Sequence, residues 1–157
     1  MEEYIRKNNS KLLDNVIPFW EKYSIDKEFG GFLTCLERDG SVFDTDKFMW
    51  LQGRQIWTMA TIYDKVQAKE EWKAMAEHGA RFILDHGRAV NGDWYFALDR
   101  TGKPLIQPYN IFSDCFATMG LASLYKITNK DEYAQVAVDT FNRILSRQDN
   151  PKGKYSK

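Results

Sequence analysis

One pattern of elements occurs twice, and it constrains the fold more than any other feature. "FGGFLTCLERDGSVFD" reads as two short strand-like runs around an Asp39-Gly40 turn. An apolar helix over about 48–65 follows, then the charged amphipathic segment "KEEWKAMAEHGARFILDH". The order then returns as "GDWYFALDRTGKP", "YNIFSDCFATMGLASLYKI" and "KDEYAQVAVDTFNRIL". Gly40 and Gly102, Ala60 and Ala122, and Tyr63 and Tyr125 are each 62 residues apart. Trp72, Met75, Ala76 and Ile83 fall on Tyr133, Val136, Ala137 and Ile144 at an offset of 61. Self-similarity at a fixed period marks a repeat architecture. Before the first unit, residues about 3–22 form a helical pattern through Tyr4, Leu12, Leu13, Val16, Ile17 and Trp20. Pro18 falls inside it, to kink it or begin a new turn.

The two helix types call for different burial. Lys69 to Arg88 carries eight charged residues, whereas Pro104 to Tyr125 carries one, Asp114. An apolar helix belongs inside and an amphipathic one at the surface. Alternating buried and surface helices describe an inner ring wrapped by an outer ring. The expected fold is therefore all-α, an (α/α)6 toroid of which this chain holds the N-terminal part: about five helices with short β-hairpins between the pairs. An open α-solenoid is the alternative, with shorter pairs and no need of such hairpins. Two and a half pairs do not close a ring, and "RQDNPKGKYSK" supplies no cap. Residues 1–157 are thus expected to be a truncated part of one barrel domain, with apolar inner-helix faces left open.

Composition removes several function classes. Formal net charge is zero, which favours neither nucleic acid nor an anionic membrane surface. No window is long and charge-free enough to cross a membrane, and the N-terminus has no apolar secretion core. Cys35 and Cys115 lie in apolar settings without metal spacing and read as reduced core residues of a cytoplasmic protein. No Walker pattern is present. Aromatic residues make up 15 % of the chain, enough for a core and for a stacking surface.

Arg54 is the only charge between Phe48 and Tyr63. At about 100° per residue, Trp50, Arg54, Trp57 and Thr61 share one helix face, and Met49, Gly53, Ile56, Ala60 and Tyr63 share another. The first face is a cation between indoles, and in a barrel it points to the axis. Arginine keeps its charge when buried and offers several donors. It suits an oxyanion that develops when a proton leaves carbon next to a carbonyl. The competing reading is a structural ion pair, with Asp114 as one partner. Trp50 can stack on a flat apolar surface of a ligand, and Gln52 can bond ligand hydroxyls although it lies far round the helix. Trp57 reads as core. Asp114, 62 residues after Gln52, can bind ligand hydroxyls or serve structure, with structure slightly favoured. Tyr109 and Ser113 can line the same mouth, while Ser113 or Asn110 can equally be an N-cap. His78 lies on the polar side of an outer helix and His86 at its end, so both read as structural.

"DTDKFMWLQGRQIW", preceded by "FWEKYSIDKEFGGF" and followed by "IFSDCFA" and "NPKGKYSK", resembles the N-acylglucosamine 2-epimerase family over essentially the whole chain. Related cellobiose epimerases and mannose isomerases usually lack the Trp-Leu-Gln-Gly run before the arginine. The resemblance implies an (α/α)6 barrel of well over twice this length. It implies an isomerase of amino-sugar and sialic acid metabolism that interconverts N-acetylglucosamine and N-acetylmannosamine by C2 deprotonation and reprotonation. It also implies no required cofactor, a nucleotide such as ATP as an effector, a homodimer, and Arg54 as the catalytic cation. The acid–base pair of the family is two histidines from later inner segments, which nothing here matches. The 157 residues alone are therefore expected to be inactive. Three alternatives remain: a cellobiose 2-epimerase or mannose-type isomerase of the same superfamily, a non-catalytic helical repeat that binds a protein, and an α/α-toroid glycosidase. The last needs two carboxylates across the mouth, and only Asp114 is available.

Overall fold

The computed structural model describes residues 8–108 and 110–148. Tyr4, Tyr109 and the "NPKGKYSK" segment lie outside the described residues. The first helix is irregular where Pro18 predicts it. Leu12–Val16 forms a π-helical stretch in which the Ile17 N–H reaches back to the Leu12 carbonyl. Regular helix α1 then runs over Ile17–Tyr23 with Pro18 in its first turn, where no backbone donor is needed.

A hairpin follows: β1 (Cys35–Leu36) antiparallel to β2 (Val42–Asp44). Gly40 turns it at φ +90°, and any Cβ there would collide with the Tyr23 ring. β3 (Lys47–Phe48) leads into α2 (Met49–Lys65), which is followed by α3 (Glu70–His86). The second unit repeats the plan with β4 (Ala97–Leu98), β5 (Pro104–Ile106), α4 (Phe112–Thr128) and α5 (Asp131–Ser146). The strands are not two separate hairpins, as the sequence suggests. β3 joins β4 and β5 in one three-stranded antiparallel sheet, so the entry to α2 is stitched to the second unit.

α2 and α4 lie side by side and run in the same direction. Gly53 packs against Phe116 and Ala117 near their starts, and Asp64 takes a 2.5 Å bond from Lys126 near their ends. Asp64 and Lys126 are 62 residues apart, so repeat-equivalent positions stand at the same height. α3 and α5 cover these helices from outside. α3 buries Trp72, Met75, Ala76, Gly79, Ala80, Phe82 and Ile83. α5 buries Tyr133, Ala137 and Thr140. The side of the inner helices turned away from α3 and α5 is open: Phe112 is 55 % and Met119 40 % exposed.

Candidate functional site

The two faces expected of α2 are separated by burial. Met49, Gly53, Ile56 and Ala60 are buried. Trp50, Trp57 and Thr61 are half-buried and Arg54 is exposed. Trp57 therefore sits at the edge of the core. Arg54 makes no ion pair with a described residue. Its guanidinium carbon lies 5.7 Å from the centre of the Phe116 ring on α4. The Trp50 indole stands 6.1 Å from the same ring, tilted by 49°. Subtracting 62 places Phe116 at the position of Arg54 and Phe112 at that of Trp50. The open face thus carries the Arg54 cation among aromatic side chains drawn from both repeats. A groove of about 300 Å³ runs beside Arg54 between α1 and α2, lined on its far side by Leu12, Val16 and Trp20.

Asp114 does not pair with Arg54. It is fully buried, and one carboxylate oxygen accepts from the Arg147 guanidinium at the end of α5. Its other oxygen has no hydrogen-bond partner among the described residues. Burial pushes this carboxyl above its usual range despite the cation beside it. The side chain points to the outer layer, on the other side of α4 from the open face. This placement sets aside the competing reading of an ion pair with Arg54 and the substrate-binding assignment, and it agrees with the structural role slightly favoured from the sequence.

Gln52 is corrected in the same way. It is 0 % exposed and bonds both backbone groups of Phe32. Its Nε2 donates to the Phe32 carbonyl at 2.8 Å, and its Oε1 accepts from the Phe32 N–H at 2.8 Å. Both ends of the carboxamide are committed to the first loop. Ser113 is also buried, with no partner for its hydroxyl among the described residues, and it is no cap. The helix is capped at Ile111 without a side-chain bond, and just before it Asn110 closes a local turn, its Oδ1 accepting the Phe112 N–H at 3.0 Å. Tyr109 lies outside the described residues. His78 is half-buried and its Nε2 is 3.0 Å from the Gly31 carbonyl, so it too serves the first loop. His86 is exposed at the end of α3, 5.1 Å from the Phe82 ring.

Two features of the site escape the sequence reading. Phe116 and Phe112 were available from the same 62-residue subtraction, applied to Arg54 and Trp50. The other feature is a buried ionic knot beneath the entry to α2. Lys47 and Asp26 are both fully buried and 3.0 Å apart. Arg100 grips the same carboxylate from the rim through Nε at 2.9 Å and an Nη at 3.1 Å. Burial alone would raise the Asp26 carboxyl. Bonds from Arg100, Lys47 and the Phe29 N–H outweigh it and hold the group well below the usual carboxylate range. The signal was a lysine two residues before a wholly apolar helix entry; in sequence Asp44 and Asp46 are its nearest carboxylates, and the buried partner is Asp26 instead.

No group of three His, Cys, Asp or Glu residues that could hold a metal ion exists among the described residues. Among them no helix is long and apolar enough to cross a membrane. Cys35 and Cys115 are half-buried free thiols, both pushed up by burial.

Paired inner and outer helices with short hairpins ahead of each inner helix define the architecture of an α/α toroid. Residues 31–157 match the family described as N-acylglucosamine 2-epimerase (GlcNAc 2-epimerase), and the chain belongs to that family. It is 38 % identical over 144 residues to the N-acylglucosamine 2-epimerase of Mus musculus, covering 89 % of this chain and 34 % of that protein. It is 30 % identical over 149 residues to the cellobiose 2-epimerase of Bacteroides fragilis, covering 93 % of this chain and 38 % of that one. The solved structure of a sugar epimerase from a ruminal bacterium superposes with a TM-score of 0.84 at 27 % identity, over 92 % of this chain and 37 % of that chain. The chain spans about a third of the length of the curated relatives it matches.

Proposed function

We propose that these residues form the arginine side of the active site of a sugar 2-epimerase acting on N-acylglucosamine and N-acylmannosamine. The observation that carries this reading is Arg54: exposed, without a described ion-pair partner, and flanked by Trp50 and Phe116. Epimerisation at C2 removes a proton next to the carbonyl of the open-chain sugar and leaves an enediolate. The Arg54 guanidinium, uncommitted to any described carboxylate, offers that oxygen positive donors as its charge develops. Trp50 and Phe116 offer flat apolar surfaces to the sugar carbons. Proton transfer on both faces of C2 needs groups that titrate near neutral pH, and histidine is the natural choice. His78 and His86 are engaged elsewhere. The 157 residues alone are therefore expected to bind sugar without turning it over.

Similarity to the B. fragilis protein keeps a disaccharide 2-epimerase as the second reading. The "WLQGR" run and the higher identity to the mouse protein favour the acylamino sugar. The absence of a required cofactor, a nucleotide effector, a homodimer and a cytoplasmic role in amino-sugar (sialic acid) metabolism rest on family resemblance.

Calorimetric titration of the chain with N-acetylmannosamine and with cellobiose separates the readings. Binding of the acylamino sugar that weakens on Trp50→Ala supports the first. Preference for cellobiose supports the second. Binding of neither overturns both, and solvent deuterium entering C2 with the chain alone contradicts the division of labour between arginine and proton-transfer groups.

A further inference from the structure

Helix α2 starts without a side-chain cap: Phe48, just before it, is extended and bonds none of the first amides. The Met49 N–H instead donates to the Phe96 carbonyl of the second unit at 3.0 Å. One residue earlier stands Lys47, whose ammonium is completely enclosed. All three of its donors are used. They go to Asp26 Oδ2 at 3.0 Å, the Gly30 carbonyl at 2.6 Å and the Arg100 carbonyl at 2.9 Å. The Phe82 ring of α3 lies 4.4 Å from the ammonium. These groups come from the first loop, the second hairpin and an outer helix. Three residues beyond Lys47 is Trp50, and one further turn on is Arg54.

A buried ion pair is a weak source of stability, because desolvation offsets much of the attraction and apolar side chains of similar volume often serve as well. What such a pair supplies is restraint: an ammonium held by three acceptors limits how far its backbone can shift. The Gly53 crossing holds α2 close to α4 in its first turns, the β3–β4 ladder and Gln52 tie its entry to the neighbouring segments, and Lys47 adds the buried tether that joins this entry to both the first loop and the second hairpin. We infer that Lys47 is a positioning residue for the sugar-facing surface, fixing the Trp50 indole and the Arg54 guanidinium in the orientation that receives the substrate. The proposal rests on the sugar-binding reading above for its functional half and on the geometry of α2 for its structural half.

The test uses the whole chain with its five tryptophans replaced by 5-fluorotryptophan. The Trp50 fluorine signal is assigned by Trp50→Phe. In Lys47→Met the Trp50 signal is expected to move or broaden while the other four stay in place, and N-acetylmannosamine affinity to fall about tenfold through lost preorganisation. Arg100→Gln, which frees Asp26 from the rim and leaves its lysine paired, is expected to act in the same direction more weakly. It carries the test if Lys47→Met fails to fold. An unmoved Trp50 signal with unchanged affinity overturns the proposal. A parent chain that binds no sugar defeats the functional reading alone, and the Trp50 signal then still decides whether Lys47 sets the helix entry.

Discussion

Gly120 on α4 meets Gly53 on α2 backbone to backbone: a Cβ on Gly120 would stand 2.6 Å from the Gly53 carbonyl oxygen. From the other side, a Cβ on Gly53 would stand 2.6 Å from the Phe116 carbonyl. The inner helices are as close here as their backbones allow, and the crossing brings Phe116 under Arg54. Alanine at either glycine must push the helices apart. Urea unfolding of Gly53→Ala and Gly120→Ala should show losses of about 1–3 kcal/mol each, the usual cost of overpacking. Parent-like midpoints would mean that the crossing is loose.

Gln52 is the second structural fixture. Replacing it with leucine keeps the volume and leaves the Phe32 N–H and carbonyl buried without partners. Each orphaned group costs about 1–3 kcal/mol. Gln52→Leu should therefore lower the unfolding midpoint clearly, and a sugar-binding defect beyond that loss would reopen a ligand role for this side chain.

The Asp26 knot gives stability a pH dependence with a definite sign. Its folded carboxyl titrates below the unfolded one, so the unfolded chain binds more protons in acid. The contribution is fully present above the unfolded value, about 3.9, and is lost as pH falls through the folded one. Stability should be insensitive to this group from pH 5 to 8 and drop steeply in acid. In Asp26→Asn the acid limb should flatten while stability near neutrality falls. An unchanged acid limb in that variant would place the responsible carboxylate elsewhere.

Asp114 titrates in the opposite sense. Burial raises its folded value, so its ionised form is held at a cost that Arg147 offsets. Arg147→Met removes that cation and should destabilise by about 3–5 kcal/mol, as breaking a buried pair does. A loss below 1 kcal/mol would show that Asp114 is protonated in the folded protein.

What could be read from the sequence was periodic. The 62-residue offset paired the helices correctly and even matched Asp64 with Lys126. Helical spacing divided α2 into a buried Gly53 face and an open Arg54 face, because both depend only on the local screw of the helix. Partners far apart in sequence were not legible. Gln52 finds Phe32, Asp114 finds Arg147, and Lys47 finds Asp26 and Arg100, over separations of 20, 33, 21 and 53 residues. A carboxamide or carboxylate on an inner helix has the same chemistry whether it meets a sugar or a loop. Only the direction of the side chain separates the two, and at Gln52 and Asp114 it points away from the open face.

The proposed function rests on Arg54 as the group that would hold an oxyanion. The most direct measurement compares the chain and its Arg54→Gln variant for binding of N-acetylmannosamine and of an open-chain hydroxamate analogue, which mimics the planar enediolate. Arg54 is exposed, so the variant should fold as the parent does. The account predicts that the parent prefers the hydroxamate by about a hundredfold or more, as transition-state mimics are preferred, and that Arg54→Gln loses most of this preference while keeping sugar affinity within a few fold. Equal preference in parent and variant would contradict it and leave Arg54 an ordinary surface cation.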